Sequence, residues 1–226
     1  MKKNAFTLAE LLVALSIIGT ISAIAIPVLI FGQGVNNAKY VNGLKKNYTN
    51  IMVATENIMS NNGGTVIQAF LNSDDIATEY CNHLKCSKIC GSGAAVTGGC
   101  FHSQADITEL DGTPFTVNPA TASYRSFILS DGSYVLTNFV SANCATTEDN
   151  IAACGWFYVD VNGNTEPNVV GRDIFKFIIH DGGTRPNTGL YISGSNVADT
   201  NTGTCSTAST GLGCASELLR TGKMEY

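Results

Sequence analysis

The stretch DVNGNTEPNVVGRD, Asp160 to Asp173, sets Asp160, Asn162 and Asn164 at alternate positions around a glycine. Hard oxygen donors at that spacing are what a calcium loop needs, and Asp173 offers a further carboxylate. The twelfth loop position, where a bidentate Glu is expected, is Gly171. The same residues also suit a metal-free loop shaped by Asx turns. Calcium is the one cofactor this pattern admits, and both readings stand at this level.

A second set is the cysteines: Cys81, Cys86, Cys90, Cys100, Cys144, Cys154, Cys205 and Cys214. An even count, confined to the part of the chain beyond a long apolar segment, reads as disulfides in an oxidising compartment. Short loops favour Cys144 with Cys154 and Cys205 with Cys214; the pairing among the first four stays open. Zinc held with His83 or His102 is the competing reading, but the spacings C-x4-C, C-x3-C and C-x9-C lack the usual C-x2-C knuckle. His83, His102 and His180 stand outside any recognisable catalytic motif, and no HExxH, GxSxG or Walker sequence occurs. The glycines of CGSGAAVTGGC lack the Lys-Ser/Thr ending of a phosphate cradle and read as a loop between cysteines. A non-enzyme is expected.

The third feature is a single carboxylate, Glu10, inside the apolar run Phe6 to Phe31. A charge at mid-membrane costs roughly 2.5 to 3.5 kcal/mol, so it normally marks a function. As a helix the run spans about 39 Å at 1.5 Å per residue, more than the roughly 30 Å hydrocarbon core. Lys2 and Lys3 precede it, which keeps the N-terminus cytoplasmic and sends the cysteine-bearing remainder outward. A cleaved secretory signal fits less well, because its apolar core would be shorter and uncharged.

Lys2-Lys3-Asn4-Ala5, then Phe6-Thr7-Leu8-Ala9-Glu10-Leu11-Leu12-Val13, Ile17-Ile18-Gly19 and Pro27, resemble the N-terminal signature of type IV prepilins and type II secretion pseudopilins. The resemblance implies a leader, residues 1–5, removed by prepilin peptidase between Ala5 and Phe6, and N-methylation of the new terminus at Phe6. The residue before the cut is usually Gly in that family and is Ala5 here. Glu10 falls on the family's glutamate, fifth after the cut, and would serve assembly. Gly19 and Pro27 fall on the helix breakpoint, where the chain can unwind as subunits pack. The D-x-N-G, P-N, G-x-D arrangement at 160–173 is similar to one recurring in pilin-like proteins, and pseudopilins often carry a calcium loop nearby.

The resemblance further implies a subunit that polymerises through its N-terminal helix into a type IV pilus or type II secretion pseudopilus, in contact with an inner-membrane assembly platform and other pilin subunits. The alternative is a minor pilin acting as a tip binding module, for adhesion, DNA uptake or substrate recognition. Residues 6–31 would be the single-pass inner-membrane and assembly helix, and 32–226 a periplasmic or extracellular domain that reaches the cell surface in the fibre. The net charge of −5 and the scatter of Lys and Arg give no basic patch, so nucleic acid is not indicated.

These features need elements to hold them. Val41, Leu44, Tyr48, Ile51, Thr55 and Ile58 recur at steps of three and four, with Lys39, Lys45, Lys46, Asn50 and Asn57 on other faces, which predicts one helix from about Phe6 to Met59. Asn61-Asn62-Gly63-Gly64 should stop it. A short helix is expected around Ile76 to Leu84. Strand signals follow at Phe115–Val117, Ser126–Leu129, Tyr134–Leu136, Trp156–Val161, Phe175–Ile179 and Leu190–Ile192, with Ser130-Asp131-Gly132 as a hairpin turn. The tail 183–213 reads as surface loop. The fold class expected is α+β, the pilin fold: a long N-terminal helix packed on an antiparallel sheet with disulfide-stapled loops.

Overall fold

The computed structural model describes residues 8–148, 151–181, 190–192 and 205–226; for 8–11, 17, 19–33 and 190–192 it describes the backbone alone. The leader and the Ala5 to Phe6 junction lie outside the described residues. Helix α1 runs Leu8–Asn61, passing through Gly19 and Pro27 as helix. The chain divides into two compact units, Met1–Lys39 and Tyr40–Tyr226. In the first, the exposed side chains include Leu12, Val13, Leu15 and Ile18. Among the described residues no helix is long and apolar enough to cross a membrane, and most side chains of the apolar run fall outside that description.

In the second unit α1 ends where the sequence places its stop. The N–H groups of Asn62 and Gly64 both return to the Met59 carbonyl at 3.0 and 2.7 Å, and Gly63 takes a left-handed φ of 71°, the conformation glycine adopts without strain. Helix α2, Ser73–His83, begins on a reciprocal cap: Asn72 accepts the Asp75 N–H, and Asp75 accepts the Leu71 N–H at 2.9 Å. Then follow β1 (Cys86–Cys90), β2 (Arg125–Leu129), β3 (Tyr134–Phe139), β4 (Thr146–Glu148), β5 (Ile151–Ala153), β6 (Gly155–Asp160), β7 (Ile174–Ile179), β8 (Leu190–Ile192) and α3 (Cys214–Thr221). Among the described residues, β1-β2-β3-β6-β7-β8 form one antiparallel sheet in that order, and β4-β5 a separate hairpin. The fold class is α+β.

Alternation along the central strands sorts side chains onto two faces. Val135, Phe157, Val159, Phe175, Phe177 and Ile179 meet the α1 stripe of Val41, Leu44, Ile51 and Ile58, together with α2 and α3. Trp156, Tyr158, Ile174, Ile178 and Leu136 face the other way, against Ala95, Phe101, Ile107 and Phe115 of the long connection between β1 and β2. The Ser130–Gly132 turn forms as expected, with Gly132 at φ 90° and the Leu129 N–H on Ser133 O at 2.9 Å.

Three differences from the sequence reading stand out. Phe115–Val117 is not a strand: Phe115 lays its ring on Tyr158 at 5.2 Å, so this segment covers a sheet face instead of extending an edge. Cys86–Cys90 is an edge strand with Ser87, Lys88 and Ile89 exposed, too polar and short to signal itself. Helix α3, with its left-handed Gly222 cap, occupies chain that continues from the predicted surface tail. The disulfides are Cys81–Cys86, Cys90–Cys100, Cys144–Cys154 and Cys205–Cys214. Both ends of β1 are therefore tied covalently, one to α2 and one to the loop cover.

Candidate functional site

The 160–173 loop leaves the end of β6 and returns at the start of β7, and its two aspartates cap it from either side. Asp160 Oδ1 accepts the N–H groups of Asn162 and Gly163, each at 3.0 Å. Asp160 Oδ2 faces His102 Nε2 at 2.9 Å, and the same Nε2 lies 2.9 Å from Gly163 O. Both partners are acceptors, so Nε2 carries the hydrogen. Asp173 accepts the Asn168 N–H on Oδ2 at 2.9 Å and the Val169 N–H on Oδ1 at 2.7 Å. These charged acceptors satisfy backbone donors that a buried loop would otherwise leave unpaired.

Packing fixes the loop further. Gly163 sits at φ 60°, and a Cβ there would lie 2.1 Å from Gly132 O in the β2–β3 turn. Gly171 and Gly211 face each other so closely that a Cβ on Gly171 would come 2.7 Å from the Gly211 Cα. Helix α1 presses on the first loop residue at Gly43, where a Cβ would stand 2.9 Å from Val161 Cβ.

The four oxygen-bearing residues singled out from the sequence thus have different tasks. Asn162 Nδ2 donates to Thr165 O and Glu166 O at 2.6 and 3.2 Å, while its Oδ1 is buried without a partner. Asn164 is exposed and lines a polar hollow of about 300 Å³ with His102, Asp106, Glu166, Pro167 and Asn168. Among the described residues no three His, Cys, Asp or Glu side chains group as metal ligands do. Both carboxylates are occupied by the loop's own N–H groups, the arrangement of a loop shaped by its own Asx turns.

The electrostatics follow from burial. Asp173 is pushed up to about 7 by desolvation, with the charge of Asp160 adding to the effect. Burial alone would lower His102, but the Asp160 carboxylate outweighs it and the imidazole is raised. Asp160 is raised by burial and pulled back by His102 and the two N–H bonds. We place the shared proton on His102, because three N–H groups already point at Asp160.

Sequence spacing gave no sign of the His102–Asp160 pair, which joins residues far apart in the chain. It also missed a charged seam on the loop-covered face of the sheet. Lys176, buried at the centre of β7, holds Glu148 of β4 through Nζ–Oε1 at 2.6 Å and lies 5.9 and 5.5 Å from the ring centres of Trp156 and Tyr158. Glu109 is buried in the same layer, with Oε2 unpartnered. The one available signal was a lysine inside the otherwise apolar strand IFKFII.

Of the N-terminal residues singled out, Ala5 and Phe6 lie outside the described residues. Glu10, Gly19 and Pro27 are placed on the backbone of α1. Residues 1–26 match the family model described as the prokaryotic N-terminal methylation motif, and the chain carries the type IV pilin and pseudopilin signature there. Neither a curated protein nor a solved structure matches the chain.

Proposed function

We propose that this chain is a pilin-like structural subunit that prepilin peptidase processes between Ala5 and Phe6, that is N-methylated on Phe6, and that polymerises through its N-terminal helix. The observation that carries the reading is the match of residues 1–26 to the methylation motif. Four disulfides in the domain beyond support export to an oxidising compartment. An α+β domain whose first helix packs along an antiparallel sheet is compatible with the pilin fold, and residues 6–31 act as the inner-membrane anchor before assembly.

Cleavage creates an α-amino group with a pKa near 8, cationic at neutral pH. Glu10, one helical turn away, pairs with that amine or with the amine of a neighbouring subunit. Inside a bundle of apolar helices the low dielectric strengthens the pairing and penalises either charge left alone. Glu10 is in this reading a registry device, and Gly19 to Pro27 is the interval that unwinds as subunits pack.

The test is mass spectrometry of the sheared-fibre and membrane fractions from cells expressing the wild type or Glu10→Ala. Expected is a mature, methylated Phe6 terminus for both chains, with the variant depleted from fibres. An intact Met1 in assembled protein would overturn the processing, and normal fibre incorporation of Glu10→Ala would overturn the registry role.

A further inference from the structure

The segment Ile107–Phe115 covers the second sheet face without belonging to any strand. It is pinned by Thr108, whose N–H reaches Asn168 O at 3.2 Å and whose carbonyl accepts the Val170 N–H at 2.9 Å, and by the Leu110 N–H on Thr210 O at 3.2 Å. At its centre Glu109 turns inward and is 4 % exposed. One carboxyl oxygen has no hydrogen-bond partner; the backbone N–H of Thr116 is the polar donor beside the group.

The charges that face Glu109 do not balance an ionised carboxylate. Asp111, in the turn of the same segment, is like-charged. Lys176 on β7 is the cation that acts on Glu109, but its ammonium already holds Glu148 at 2.6 Å. Tyr124 stands beside that pair and is neutral at ordinary pH, held up by burial and by the charge of Glu148. The neighbouring stretches 205–212 and 167–171 contain no acidic or basic side chain; Arg172 and Asp173 follow the second, and Asp173 is itself pushed up to about 7, so the Glu109→Gln variant is what separates the two carboxyls. Ionising Glu109 therefore sets a second carboxylate around one buried cation that has a closer partner, which is a costly arrangement.

We propose that the protonated Glu109 carboxyl is a latch that seats the Ile107–Phe115 segment on the sheet, and that its ionisation loosens this segment while the strands beneath stay folded. Burial pushes the group up to about 7, so the latch operates across the pH range met outside a cell. The sign follows from linkage. Below the ordinary carboxylate range the group is protonated whether the segment is seated or released. Between that range and about 7 the released form binds fewer protons, so seating weakens as pH rises, and above about 7 the loss is complete. Exposure to ambient pH rests on the exported reading above, whereas the latch itself depends only on the domain.

The experiment uses the full chain in detergent micelles equilibrated between pH 5.5 and 8.5. Hydrogen exchange is followed by mass spectrometry with the intrinsic pH dependence removed. Amides of 107–115 are expected to exchange about thirtyfold faster at the upper pH, while β6 and β7 stay unchanged. In parallel, emission of Trp156, the single tryptophan and a member of the same layer, should shift with a midpoint near pH 7 in the wild type and lose that transition in Glu109→Gln. Flat exchange of 107–115 in the wild type overturns the latch, whether or not the variant folds. So does a Glu109→Gln protein that keeps the transition. Neither outcome touches the N-terminal processing, which is read separately from the mature terminus.

Discussion

The two faces of the central sheet solve the same burial problem with different materials. On one face three helices supply the cover, and since a helix satisfies its own backbone groups it can lie on an apolar surface with few polar groups between. Two of the exceptions there find partners: Thr55 Oγ1 meets Tyr80 Oη at 2.8 Å, and Asn47 Nδ2 donates to Ser133 Oγ at 2.9 Å, while Asn47 Oδ1 is left without one. On the other face the cover is irregular chain, which cannot satisfy its own N–H and C=O groups. It carries buried charge with it: Asp160 with His102, Lys176 with Glu148, and Glu109. Both sides have covalent ties: Cys90–Cys100 anchors the start of the loop cover beside β1, and the other three disulfides lie with the helix-covered core. A helix cover keeps a face apolar and largely free of buried charge, whereas a loop cover brings buried charge with it and makes the face sensitive to pH.

The largest expected effect tests the helical side. Phe157 is fully buried, with its ring 4.7 Å from Tyr80 and 6.5 Å from Phe127. Phe157→Ala should cost about 3 to 5 kcal/mol in urea unfolding; a cost under about 1 kcal/mol would mean that this face does not carry the stability assigned to it. Next comes the covalent tie of the other side. Replacing Cys90 and Cys100 together by Ser should cost about 2 to 3 kcal/mol, with faster hydrogen exchange concentrated in 91–117. Equal acceleration in α1 would erase the distinction between the faces. The smallest effect belongs to the surface. Lys46 and Asp131 lie 3.0 Å apart with the lysine 57 % exposed, so Lys46→Ala should change stability by less than about 1 kcal/mol. A larger loss would show that exposed charge matters here as much as the buried seam.

Much of the helical side is legible in the sequence because its signals are local. The α1 stripe at steps of three and four, the double glycine that ends it and the Asp-Gly turn between β2 and β3 each act over a few residues. The loop side hides itself for the opposite reason. Phe115–Val117 has strand composition, yet Phe115 packs edge-to-face against Tyr158 over the sheet, and composition does not distinguish a strand from a cover. The register that sets Tyr158 opposite Lys176 is a property of paired strands, as is the approach of His102 to Asp160 across a gap in sequence.

By itself the sequence determined the methylation-motif signature of residues 1–26, because Lys2, Lys3, the small residue before Phe6, Glu10 and an apolar run are contiguous in the chain. It also determined the class of the domain, since periodicity is written residue by residue. Only the tertiary structure decided what the loop aspartates do, where Lys176 finds its carboxylate and why Glu109 is left with an unpartnered oxygen. Burial and long-range pairing assign those roles, and both arise only when distant segments share one core.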